Sequence, residues 1–198
     1  MELLEAVDQV AALEKLHEMG CTDGLPVIIP TTELVDRMVL ASSLDSDVVL
    51  GEVGPLGGVA TVEKLATNAV MAGCSPDYMP FVLAAMQAVL QPEFDLSEVQ
   101  STTHSIAPLL IVNGPLGAIT GIASGFGALG PGHRANVCIG RALRLAMMNI
   151  GGAKPGVSDM ALLGHPGKFS MCLAEAEHAP VVPPMSEMWG YPAGSDVV

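Results

Sequence analysis

Residues 109–148 read LLIVNGPLGAITGIASGFGALGPGHRANVCIGRALRLAMM. Leu109-Leu110-Ile111-Val112 is a short, wholly apolar run, the pattern of a buried strand. Asn113-Gly114-Pro115 breaks it. The glycine-rich stretch Gly125 to Gly132 then leads into a basic helix expected over 134–148. Strand, glycine loop and helix in succession predict an α/β domain, with a mixed α+β arrangement as the alternative.

Working outward, the same alternation continues. Leu3, Leu4, Val7, Val10, Leu13 and Leu16 recur at helical spacing, and Gly20 supplies the stop. Thr22-Asp23-Gly24-Leu25-Pro26 reads as a turn and Val27-Ile28-Ile29 as a short strand. Thr31 and Thr32 can cap a helix over 33–41. Val48-Val49-Leu50 reads as a strand ending at Gly54-Pro55, and a helix is expected over 61–72. Ser75, Pro76 and Asp77 form a strong helix start for a nearly all-apolar, buried helix running to Leu90. A last strand is expected over 169–173. Gly-Pro turns recur at Gly54-Pro55, Gly114-Pro115 and Gly130-Pro131, so a duplicated loop–helix unit is one reading and chance recurrence the other.

The 198 residues suit one domain, read here as part of a larger assembly, with 179–198 a Pro-rich extended segment. Half the residues are hydrophobic, which excludes disorder. A net charge of −13 argues against nucleic acid and anionic membrane as partners. Val99 to Gly132 carries no charged residue, but its glycines, prolines and polar side chains exclude a membrane span. A buried strand and a buried glycine loop account for it better. Cys21, Cys74, Cys138 and Cys172 have no CxxC spacing, and Met1 is not followed by a basic and then apolar leader. Both features point to reduced thiols in the cytoplasm. The apolar end at Val197-Val198 implies that the last residues dock, or that the natural polypeptide continues.

Three features can carry chemistry. Cys74 lies just before an expected helix N-terminus, whose unpaired N–H groups favour a thiolate, a nucleophile or a redox centre. The alternative is a small buried thiol. The loop around Gly130 and Gly132, followed by His133, Arg134 and Asn136 with Arg141 two turns on, suits a carboxylate or phosphate. The alternative is that the arginines pair with acidic residues such as Asp159. His104 and Asn113 flank the expected strand at 109–112, and Asp159, His165 and Lys168 cluster in sequence. Cys74 with His104 or His165 would make a nucleophile and base. No HxH, HxxxH or CxxC spacing supports a metal, and no motif demands a nucleotide or flavin.

The segments Thr22–Pro26, Asn68–Cys74, Gly127–Asn136 and Ile139–Ala142, with Asp159 and Gly164–Lys168, resemble the UGSC-type (seleno)protein, or UGSC-like, family. That resemblance implies thiol or selenol redox chemistry. This chain has Gly73-Cys74-Ser75 and no Cys-Gly-Ser-Cys. It also implies that relatives continue past a segment like Gly194–Val198. The resulting expectation is an enzyme, or enzyme subunit, acting on a small anionic organic molecule. Cys74 would attack, Arg134, Arg141 and the glycine loop would hold the anion, and Asn113 would stabilise developing charge. The alternatives are the first chain of a self-processed hydrolase whose nucleophile lies on a second chain, and a non-catalytic subunit of a hetero-oligomer; in each case a homo- or hetero-oligomer is expected.

Overall fold

The computed structural model describes residues 4–178 and 181–198. The fold is a mixed α/β arrangement in which helices dominate and the described strands form two small sheets. Helix α1 (Gln9–Glu18) starts where Asp8 accepts the Ala11 N–H, so residues 4–7, expected to be helical, lie before it. Helix α2 (Thr32–Ser42) is capped by Thr31, as the sequence indicated. Val27–Ile29 is not a strand, since its backbone pairs with no other strand: the Ile28 N–H donates to the Met71 carbonyl and the Ile29 carbonyl accepts the Thr31 N–H.

Strands β1 (Val49–Val53) and β2 (Gly58–Thr61) form an antiparallel hairpin that turns through Gly54-Pro55. Thr61 then caps helix α3 (Val62–Ala72) by accepting the Lys64 N–H at 3.3 Å. A single 3-10 turn, Pro76–Tyr78, precedes helix α4 (Met79–Val89), and Ser75 makes no side-chain cap there. Helix α5 (Leu96–Ser101), strand β3 (Leu110–Val112) and helix α6 (Pro115–Thr120) divide the uncharged region. Helix α7 (Arg134–Asn149) follows the glycine loop. Strand β4 (Cys172–Ala174) lies parallel to β3, and α8 (Met185–Met188) is a single turn within the segment expected to be extended.

The core is built where α3 packs on α7, with α2 and α4 against them. Eleven of the sixteen residues of α7 are buried. Met86, Leu65, Ile139 and Leu145 lose all solvent contact, each worth roughly 1.5–3 kcal/mol of transfer free energy.

Two expectations need correcting. The three Gly-Pro turns do not repeat a unit. One closes a hairpin, one opens α6, and Gly130-Pro131 lies in a loop before α7. The glycine loop is not buried, and the Phe126 side chain is fully exposed. The C-terminal residues do dock. Asn113 and Val197 exchange backbone hydrogen bonds at 2.9 and 3.2 Å, and Asp196 accepts the Leu116 N–H at 2.8 Å.

Candidate functional site

An open cleft of about 790 Å³ lies between the Thr22-Asp23 turn, the last turns of α7 and the loop from Pro155 to Phe169. Helix α7 supplies Arg144, and the loop folds back over it to supply Asp159, His165 and Lys168. This loop holds little regular structure, so its backbone is fixed by local bonds. The Gly156, Val157, Ser158 and Asp159 N–H groups all bond to carbonyls within 154–159.

Asp159 is buried and is the centre of the site. Its two carboxylate oxygens accept Lys168 Nζ at 2.8 and 2.7 Å. The Arg144 guanidinium reaches Oδ2 at 3.3 Å, and the Ala161 N–H reaches Oδ1 at 3.2 Å. Burial raises the Asp159 pKa. The Lys168 hydrogen bond, the Ala161 N–H and the two cations outweigh it, so the carboxyl sits below its ordinary value. Arg144 is held on its other side by buried Gln100 (2.7 Å) and the Ala153 carbonyl (3.1 Å).

A second ion pair stands behind the turn. Arg141 Nε and one terminal nitrogen grip Asp23 at 2.7 and 2.8 Å, and the guanidinium also donates to the Pro26 carbonyl at 2.9 Å. Burial raises the Asp23 pKa, but the hydrogen bond and charge of Arg141 bring it below the ordinary value. Arg141, Arg144 and Lys168 therefore face Asp23 and Asp159, three cations against two carboxylates. Lys168 keeps one N–H beyond the two bonded to Asp159. His165 Nδ1 accepts the Gly167 N–H at 3.0 Å, so the neutral ring carries its proton on Nε2. In that tautomer His165 offers a hydrogen-bond donor rather than a free base.

The structure thus brings together Asp159, His165 and Lys168. It does not bring Cys74 or His104 to them. His104 is exposed, with Nδ1 3.0 Å from the Thr102 hydroxyl. Cys74 lines a different cavity, together with Arg134. The expected thiolate is not what burial favours. No α-helix begins at Cys74, its thiol donates to the Cys138 carbonyl at 3.3 Å, and burial pushes its pKa well up. Nor do Arg134 and Arg141 share an anion site with the glycine loop. Arg141 is committed to Asp23, and Arg134 donates to the Gly73 carbonyl at 3.0 Å.

The remaining candidates hold structure. Asn136 accepts the Ala123 N–H at 2.8 Å and donates to the Ala123 and Ala128 carbonyls, which pins the loop containing Gly130 and Gly132. His133 precedes α7 without a side-chain cap. Buried Asn113 donates to Glu175 at 2.5 Å and Glu177 at 3.3 Å, away from both cavities.

Thr22, Asp23, Gln100 and Arg144 are site-forming residues that sequence reasoning did not single out. The signal for the first two was present, because Thr22-Asp23-Gly24 is one of the segments that carry the UGSC-like resemblance. Among the described residues, no three His, Cys, Asp or Glu side chains converge as metal ligands, and no helix is long and apolar enough to cross a membrane. Comparison with protein-family models, with curated proteins and with solved structures finds no significant match to this chain.

Proposed function

We propose that the chain is an enzyme, or an enzyme subunit, that takes a small organic anion into the Asp159–Lys168 cleft. The observation that carries this reading is that Lys168, which keeps an N–H beyond the two on Asp159, lines a 790 Å³ cleft together with Arg144 and His165. The free N–H of Lys168 would take the carboxylate or phosphate, and His165 Nε2–H would donate to an oxygen that gains charge during reaction. The apolar side of the cleft, Met148 and Leu162, would hold the organic body. Cys74 has no part in this reading.

The segments resembling UGSC-like proteins supply Thr22, Asp23, Asp159, Gly164, His165, Pro166 and Lys168 to the wall, which supports placing the chain beside that family. Four free cysteines support a reducing, cytoplasmic setting.

Isothermal titration of the protein with acetate, benzoate and inorganic phosphate tests the reading. We expect at least one anion to bind, with Lys168→Met weakening it about tenfold or more, as loss of a charge-assisted hydrogen bond implies. Absence of binding by all three, or binding unchanged in Lys168→Met, would overturn it.

A second reading concerns assembly. Leu162 and Leu163 are 91% and 94% exposed beside the cleft. Apolar side chains left in water at the rim of a site support a subunit that is covered by another chain.

A further inference from the structure

The second cavity, of about 400 Å³, lies between α2, the turn joining α3 to α4 and the first residue of α7. Its volume falls in the usual range for small-molecule sites. Its floor is apolar, with Met38 and Val70 buried and Leu34 half-buried. Its polar side holds Arg37 and Arg134.

These two arginines differ from the other two. Arg141 and Arg144 are each locked onto a buried carboxylate. Among the described residues neither Arg37 nor Arg134 has a carboxylate within 4.0 Å. Arg134 uses one N–H on the Gly73 carbonyl, and Arg37 makes no side-chain hydrogen bond to a described residue. The chain has 21 Asp and Glu against 8 Lys and Arg. In so acidic a protein, two un-neutralised guanidinium groups on one concave apolar wall form a local positive potential with no internal partner. The guanidinium fork matches the oxygens of a carboxylate or phosphate.

We propose that this cavity is a binding site for an organic oxyanion with a short aliphatic body. The carboxylate or phosphate monoester head lies on Arg37 and Arg134, and the aliphatic part lies on Leu34, Met38 and Val70. The site is independent of the Asp159–Lys168 cleft and shares no lining residue with it.

The two cavities each contain one methionine, Met38 here and Met148 in the cleft, so methionine-methyl 13C NMR separates them. The protein is titrated with hexanoate and hexyl phosphate, with hexanol and inorganic phosphate as controls. Binding of hexanoate or hexyl phosphate should shift the Met38 methyl and leave Met148 in place. Arg37→Gln alters an exposed side chain and should weaken that binding about tenfold or more while leaving the spectrum of the free protein otherwise intact. Lys168→Met should not affect it. Hexanol binding as tightly as hexanoate would overturn the arginine head site, and inorganic phosphate binding as tightly as hexyl phosphate would overturn the apolar floor. Shifts at Met148 alone, or binding unchanged in Arg37→Gln, would likewise overturn the proposal, although the Met148 outcome would favour the cleft.

Discussion

Asp159 holds buried Arg144 and half-buried Lys168, so its removal leaves both without a counter-charge. Breaking such a buried network from one side costs about 3–5 kcal/mol. Asp159→Asn should therefore lower Tm by roughly 10 °C, read by calorimetry at pH 7. Acid acts on the same groups. The folded pKa values of Asp23 and Asp159 lie below the ordinary 3.8. The stability they contribute is fully present above the unfolded value and is lost as pH falls through the folded ones. Urea midpoints should hold steady down to about pH 5 and drop below about pH 4. The drop should be shallower in Asp159→Asn, and an equal drop in that variant would exclude this carboxylate as a source. Asp159, His165 and Lys168 were legible because they lie within ten residues of each other. Asp23 and Arg141 are 118 residues apart, and nothing local links them. The activated-thiolate expectation for Cys74 failed for a related reason. It relied on a local helix start, whereas the thiol's environment is set by burial first and then by the distant Cys138 on α7.

The longer helices were readable because caps and apolar spacing agree. Thr31, Thr61 and Gly73 all mark boundaries that the structure keeps, and α7 runs within a residue of its expected span. Of the hairpin, only the first strand was readable, in Val48-Val49-Leu50. Gly58-Val59-Ala60-Thr61 sets Val59 and Thr61 against Gly58 and Ala60, too weak a strand signal by itself, and owes its form to pairing with β1. Gly140 shows how packing overrides helix propensity. Ala normally stabilises a helix relative to Gly by up to about 1 kcal/mol. A Cβ here would lie 2.5 Å from Ser170 Oγ and 2.7 Å from the Met171 backbone nitrogen. Because the backbone before β4 cannot move without disturbing its pairing, Gly140→Ala should destabilise by about 1–3 kcal/mol, measured as a fall in urea midpoint. An unchanged or raised midpoint would show that the contact relaxes freely. Asn136 makes the opposite kind of contact, binding a loop rather than excluding a side chain. Asn136→Ala leaves the Ala123 N–H and the Ala128 carbonyl unpartnered, while the Ala123 carbonyl keeps the Ala174 N–H, at about 1–3 kcal/mol. Hydrogen exchange at the Ala123 amide should accelerate in this variant, with α3 amides changing little.

On the scale of the whole molecule, two terms oppose each other. The charge of −13 keeps copies apart, while Leu162, Leu163 and Phe126 stand almost wholly in water. Salt decides between them, because it screens repulsion between exposed charges and leaves apolar burial intact. The Debye length falls from about 30 Å at 0.01 M to about 3 Å at 1 M ionic strength. If the rim of the cleft is an interface between copies, association should strengthen as salt rises. Light scattering should then give a mass above the 20.3 kDa of one chain in 0.5 M NaCl, and a value nearer to it in 10 mM NaCl. Replacing Leu162 and Leu163 with Asn removes the apolar pair from positions already exposed, so the fold should tolerate it. The doubly substituted chain should weigh 20.3 kDa at both salt concentrations. Wild-type protein that weighs 20.3 kDa throughout would mean that copies of this chain do not cover the rim, and would leave a different chain as its partner.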